Sequence, residues 1–316
     1  MAKLIVIGHG CGEVNLPPHE PPPPGEVVTV PGLELAIGGS GVVTAITTAR
    51  LGISTAFSGV LGDDVLGVLI RDTMSAEGVD VTRLHLLQGR SSPTTLVYNR
   101  GNGHRPSFVQ HPGTNADYKL PSTVLRAPCK VFHLAAPEFL TGIWPHTAID
   151  IVRKLKVAGR TVSLDTFAMG NGRAEIERNV KEHRHLLDLV DIVFPNEEEA
   201  RLISGRSEWE SMVRYFHERG VQIVAIKRGD KGAVVSWGGR IEEVQVSRVE
   251  AVDTRGAGDN FAAGFLAGYL RGLDPLKCTR LACALGMRCV RHQGALTGTR
   301  DRKRMQKALT ALEGQK

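Results

Sequence analysis

The chain has 316 residues, 42% of them hydrophobic, with 39 Lys and Arg against 33 Asp and Glu. That is enough chain for one large or two modest domains with a sizeable core. The net charge of +6 comes without a long basic run interleaved with aromatics, so no nucleic-acid partner is expected. Cys11, Cys129, Cys278, Cys283 and Cys289 form no CxxC pair and read as reduced, mostly buried thiols of a cytoplasmic protein. The first apolar run, residues 4–7, is too short for a signal-peptide core, and no run approaches the length of a membrane span.

Residues 4–8 predict a buried strand. It feeds Gly8-His9-Gly10-Cys11-Gly12-Glu13. This is no dinucleotide fingerprint, because the third glycine is misplaced and Pro17 and Pro18 stand where the helix would run. There is no G-K-[ST], hence no P-loop. Residues 17–25 are too proline-rich for helix or central strand and predict an extended excursion to short strands at 26–30 and 33–37. Gly38-Gly39-Ser40-Gly41 opens a helix that runs through Arg50 and closes at Gly52. A strand is predicted at 53–59, then a helix capped by Asp64, running to about Glu77 and ended by Gly78-Val79-Asp80. Residues 94–98 and 107–110 predict two strands around the Gly- and Asn-rich turn at 99–103.

Beyond residue 113, strands alternate with helices. Strands are predicted at 131–135, 161–165, 192–194 and 221–227, and helices at 145–158 and 175–189. His183 and His185, a His-x-His pair on a charged helix, read as surface residues rather than a metal site. A hairpin at 233–237 and 241–246 turns on Gly238-Gly239; a helix rich in small residues spans 276–290, and a peripheral one 300–312. The alternation predicts an α/β fold with a doubly wound, mostly parallel sheet and ligands at the strand C-termini.

The most informative stretch is Asp253-Thr254-Arg255-Gly256-Ala257-Gly258-Asp259. Behind it Phe261, Phe265, Leu266, Tyr269 and Leu270 recur at helical spacing. A glycine-rich turn at a helix N-terminus presents free N–H groups and the positive end of the dipole, which together suit an anion. A carboxylate crowding that anion repels it unless it faces a different group. Asp259 therefore reads as a general base that takes the proton of a substrate hydroxyl, while the N–H groups of Gly256, Ala257 and Gly258 hold the group in transfer. An alcohol attacking a nucleotide's terminal phosphate needs those two parts side by side. The plain alternative is an ordinary helix N-cap.

This stretch resembles the signature of the ribokinase-like, or pfkB, family of carbohydrate and nucleoside kinases, usually D-T-T-G-A-G-D. Arg255 stands where Thr or Ile is common, and no role is carried over to it. Gly38-Gly39-Ser40-Gly41-Val42-Val43-Thr44-Ala45 is similar to the family's G-G-x-x-x-N-x-A, with Val43 in place of the Asn that binds substrate in many members. The resemblance covers essentially the whole chain. It implies one ATP-dependent kinase domain over 1–316, with a small β-sheet lid inserted from about 12–36 and 91–113. It implies Glu13, Gly38, Gly39 and Arg105 against the substrate, with Thr95 facing it. Asn196 and Glu199 of an N-x-x-E motif would hold the water shell of Mg²⁺. Lys227, Gly229 and Gly232 would lie along the ATP phosphates, and Gly294 would lie on the adenine side, with the 276–290 helix packing close under the adenine. Asp253 is implied as a candidate potassium site, and pairing of lids into a homodimer is left open.

The expected acceptor is a small-molecule sugar. The rival acceptor is a nucleoside, which needs an aromatic slot; Phe108, Phe167 and Trp144 are the obvious candidates. A non-catalytic ligand-binding protein on the same fold is the rival of another class, with Glu13 and Val43 as its supporting departures.

Overall fold

The computed structural model describes residues 2–17, 23–98, 107–167 and 172–314. The first half contains β1 (Leu4–Gly8), β2 (Cys11–Leu16), β3 (Glu34–Gly38), α1 (Ser40–Arg50), β4 (Thr55–Gly62), α2 (Val65–Ala76), β5 (Asp80–Leu87), β6 (Thr94–Tyr98), β7 (Ser107–His111) and the short α3 (Ser122–Leu125). The second half contains β8 (Val131–Ala135), α4 (His146–Val157), β9 (Thr161–Asp165), α5 (Arg173–Leu187), β10 (Ile192–Val193), α6 (Glu197–Ser204), α7 (Trp209–Glu218) and β11 (Ile223–Lys227). β12 (Ala233–Trp237), β13 (Arg240–Val244), α8 (Ala257–Leu270), α9 (Pro275–Val290) and α10 (Arg302–Glu313) complete it.

Among the described residues, nine strands form the main sheet in the order β13-β12-β11-β10-β9-β8-β1-β4-β5. All pairs are parallel except β11–β12 and β12–β13. The central strands are apolar on both faces because helices cover both. In β1, Ile5 and Ile7 pack with Phe132, Leu164, Val152 and Phe216 on one side. Leu4 and Val6 pack with Ile46, Phe57, Phe265 and Leu281 on the other. Each such buried side chain contributes roughly 1.5–3 kcal/mol. α8 is apolar nearly all round, the mark of an enclosed helix. A Cβ on its Gly264 would lie 2.9 Å from Ala282 Cα of α9, so the small residues of α9 serve close helix–helix packing.

The second sheet, β3-β2-β6-β7, comes from the two stretches around 12–36 and 91–113. The strand expected at 26–30 does not form. Pro23, Pro24 and Pro31 flank it, and Val27 is 92% exposed with no sheet partner to cover it. Two strands went unread in the sequence. β2 follows β1 directly where prolines exclude a helix, and β5 is a half-buried edge strand with charged residues among its apolar ones. Arg105 and the neighbouring Arg100 lie outside the described residues. Among the described residues no helix is long and apolar enough to cross a membrane.

Asp64 is the N-cap of α2, as its position predicts. Its side chain accepts from Gly67 N (2.8 Å), and it also accepts from Ser92 N (2.7 Å) and Ser92 Oγ (2.6 Å) just before β6. One carboxylate thus starts a helix and holds the chain entering the small sheet. Asp64→Ala is expected to cost about 1–2 kcal/mol in urea unfolding, the worth of a lost cap, and to expose the 91–98 segment to proteolysis first.

Candidate active site

The C-terminal ends of β1, β8, β9, β10 and β11 open toward the N-terminus of α8, and the site is built there. α8 begins at Ala257, with Gly256 as its N-cap at φ 70°. That left-handed conformation, and Ala295 only 2.4 Å from where a Cβ would sit, require glycine at this position. The first N–H groups of a helix have no intrahelical acceptor. Ala257 N makes a long bond back to Thr254 O at 3.4 Å, and Asn260 N bonds to Gly256 O at 2.9 Å.

Asn260 itself had no role in the sequence reading. It is fully buried, accepts from Thr47 Oγ1 (2.8 Å), and donates through Nδ2 to Gly256 O and Ala295 O (both 2.8 Å). It therefore pins the glycine turn to α1 and to the 294–295 turn. A polar residue inside an otherwise apolar helix was the available signal.

Asp259 stands in the first turn of α8. Burial and the nearby Asp165 carboxylate push its carboxyl up to about 7, while Lys227 and a hydrogen bond from Ser40 oppose the rise. Lys227, at the end of β11, is inside the site. Its Nζ lies 2.5 Å from Asp165 Oδ1 and 3.2 Å from where a Cβ on Gly258 would be. Burial opposes its charge, but Asp165, Glu199 and Asp259 together hold the ammonium above the ordinary lysine value.

Asn196 and Glu199 form a capping box on α6: Glu199 N donates to Asn196 Oδ1 and Asn196 N to Glu199 Oε2, both at 2.8 Å. Thr166 Oγ1 also donates to Glu199 Oε2 at 2.9 Å. Both residues thus serve the helix first. Around Lys227, three carboxylates (Asp165, Glu199, Asp259) face one ammonium. Such a deficit of positive charge, with oxygen donors, fits a magnesium ion that keeps most of its water. No group of three or more His, Cys, Asp or Glu among the described residues could cage a metal outright.

Gly229 and Gly232 follow β11 in a tight turn. At Gly232 a Cβ would meet Val244 O at 1.9 Å, so the neighbouring hairpin strand alone demands glycine there. Gly294 N donates to Asp253 Oδ2 at 2.9 Å.

The small sheet enters through Glu13. A Cβ on Gly38 would lie 2.1 Å from Glu13 Oε1, so the carboxylate rests directly on that glycine; Gly39 adjoins it at φ 92°. Thr95 is buried beside Cys11. The residue without an assigned role, Arg255, joins this group. Its Nη1 donates to Glu13 Oε2 (2.9 Å) and to Asn15 Oδ1, and its Nη2 donates to Asp253 Oδ2 (2.6 Å). Its Nε reaches both Asp253 oxygens (3.0 and 3.1 Å), and its backbone N donates to Asp253 Oδ1 (3.0 Å). With Gly294 N added, the Asp253 carboxylate is ringed by donors. A potassium ion on Asp253, implied by the resemblance as a candidate, does not fit, because the Arg255 guanidinium already pairs with both oxygens of that carboxylate.

Three aromatic rings meet just past the strand ends. Phe139, just past β8, packs on His9 (centroids 4.1 Å), just past β1, and on Phe167 (4.7 Å), just past β9. Burial drives His9 down to about 3, so it is neutral. Trp144 is elsewhere, stacked on His183 and bonded to Asn179, and Phe108 is exposed on β7. A cavity of about 460 Å³, lined by Cys129, Arg160 and Tyr269, opens at the opposite edge of the sheet and holds none of these groups.

The sequence profile of the pfkB family of carbohydrate kinases matches residues 1–302. The chain belongs to that family. It is 32% identical to a fructokinase of Escherichia coli over 85% of this chain and 90% of that one. It is 30% identical to a cytidine kinase of Thermococcus kodakarensis over 89% and 93%. Among solved structures, ribokinase of Arabidopsis thaliana, complexed with ribose and ATP, superposes with a TM-score of 0.82 at 26% identity, covering 98% of this chain and 99% of that one. The pfkB kinase therefore has the ribokinase-like fold, a doubly wound, mostly parallel sheet with a second, smaller sheet.

One reading of the sequence is overturned here. His183 is not a surface residue. It is fully buried, with Nε2 2.6 Å from Glu138 Oε1 and Nδ1 2.7 Å from Asn179 O; His185 is exposed. Helix periodicity sends position 183 inward with Leu186 and Leu187, and the burial is compensated by an ion pair. Glu138 Oε1 also accepts from Phe167 N (2.8 Å), so the pair braces the mouth. Burial opposes protonation of His183, but Glu138 outweighs it and holds the imidazolium above the ordinary value. Its stabilisation is complete below the ordinary histidine pKa of about 6.5 and is lost as pH rises through the raised folded value. His183→Gln is expected to cost about 3 kcal/mol at pH 6 and less at pH 9, read by urea unfolding across that range.

Proposed function

We propose that this pfkB kinase transfers the terminal phosphate of ATP to a hydroxyl of a sugar or sugar-like acceptor, with Asp259 as general base. What carries the reading is a carboxylate on the first turn of α8, beside the glycine turn that starts the helix and the Lys227 ammonium, with its carboxyl pushed up to about 7 by burial and Asp165. The acceptor oxygen attacks the γ-phosphorus as Asp259 takes its proton, and the bond to the β-phosphate oxygen breaks to release ADP. The N–H groups of Gly256, Ala257 and Gly258 hold charge in transfer. Lys227, behind Gly258, offsets the carboxylates around Asp259. Glu13 accepts an acceptor hydroxyl over Gly38 and Gly39. Glu199 and Asn196 would hold the water shell of a magnesium ion, which when bound would neutralise phosphate charge. Gly229, Gly232 and Gly294 border the nucleotide. The small sheet acts as a lid, because water would otherwise accept the phosphoryl group.

A nucleoside acceptor is the second reading, and the half-buried Phe139 and Phe167 rings favour it. Planar rings at a site mouth suit a flat base.

The test is ADP release with Mg-ATP across sugars, sugar phosphates and nucleosides. Turnover on one class is expected, and Asp259→Asn is expected to lower it ~10²–10⁴-fold while acceptor binding persists. Undiminished turnover in that variant would sink the mechanism. The acid limb of kcat/KM is expected near the Asp259 value of about 7, since it reports free-enzyme groups. Lys227 lowers that value and Asp165 raises it. Lys227→Met should therefore move the limb to higher pH and Asp165→Asn to lower pH, read from pH–rate profiles.

A further inference from the structure

Arg255, Asp253 and Glu13 form one charged cluster, with side chains only 8%, 7% and 11% exposed. Two carboxylates held this far from water repel each other and require a cation between them. The guanidinium fills that place from within the chain. Its planar fork matches Asp253 at two points and still spares Nη1 for Glu13 and Asn15. Its backbone is fixed as well, with Arg255 O accepting from Cys289 Sγ at 3.1 Å. The arginine leads directly into Gly256, the N-cap of α8. One cation therefore connects the turn that starts α8 to β2 of the small sheet.

We propose that Arg255 is a tethered internal cation. It holds the turn before α8 and aims Glu13, so this kinase works without a bound monovalent cation. Arg255 is thus a positioning residue acting through Asp253 and Glu13. The inference rests on the kinase reading for its rate effect but not for its binding effect. Removing the guanidinium leaves two buried carboxylates uncompensated, in a space lined by oxygen acceptors. A small cation from solution should then enter it.

The experiment compares the wild-type chain, Arg255→Thr and Arg255→Lys in potassium chloride and in choline chloride at equal ionic strength. Two readouts are taken: the thermal unfolding midpoint, and turnover on the acceptor found in the panel. For wild type, exchange of choline for potassium should leave the midpoint unchanged and change turnover by less than about twofold. In Arg255→Thr, potassium should raise the midpoint in a saturable way and recover turnover at least about tenfold over choline, with the larger recovery in the acceptor KM, where Glu13 acts. Arg255→Lys, which keeps a charge but loses the fork, should fall between. A saturable, potassium-specific rise in the wild-type midpoint would overturn the proposal, as would an Arg255→Thr protein that folds but ignores potassium. If Arg255→Thr does not fold, wild type and Arg255→Lys still decide. If no acceptor is turned over, the kinase reading fails while the midpoints still test the cation.

Discussion

The site depends on the cost of drawing a carboxylate partly out of water. Asp259 sits in the first turn of α8, where the helix dipole favours its charge and burial opposes it. The balance raises its carboxyl to about 7, well above the ordinary aspartate value. Much of the surrounding design serves that balance. Lys227 comes from β11 and Asp165 from β9, and they bond to each other beneath Gly258. Glu199 on α6 completes the charge set around the ammonium. These residues lie on separate elements and meet because parallel strands deliver their C-terminal ends to one edge.

A second constraint is mechanical. The turn before α8 must approach the backbone at Ala295 closely, so position 256 is glycine in a left-handed conformation. Such a turn is soft unless something holds it. Asn260 holds it from inside, through Gly256 O, Ala295 O and Thr47. Asp253 holds it from outside, through Gly294 N and the Arg255 guanidinium. Because Arg255 also reaches Glu13, the same fastening extends to the small sheet. The turn before α8 and the Glu13 end of the small sheet are one connected network rather than two neighbouring sets of contacts.

Residues also serve the fold where a ligand role was first inferred. The Asn196 and Glu199 side chains cap a helix before they face any metal. Gly232 is required by Val244 O of β13, and the small residues of α9 by α8. A functional motif and a packing requirement can occupy the same letters, because both select small or capping residues.

The sequence alone determined the α/β alternation, the two stretches that build the small sheet, the cap at Asp64 and the Asp253–Asp259 turn. Those signals are local: apolar period, proline exclusion, and glycines spaced next to a helix start. Tertiary structure alone decided the rest. Val27 and Val28 were apolar enough for a strand, but no neighbour came to pair with them. His183 looked like a surface histidine until Glu138, 45 positions earlier (183 − 138), was folded against it. Phe139 and His9 had no aromatic role until the ends of β8, β9 and β1 brought them beside Phe167. Arg255 read as an unexplained departure from a familiar turn. Its partners Glu13 and Asn15 lie some 240 residues away, and charge pairing over that separation leaves no periodic trace in a sequence. Only the closed fold, which removes water from the cluster, makes that cation necessary.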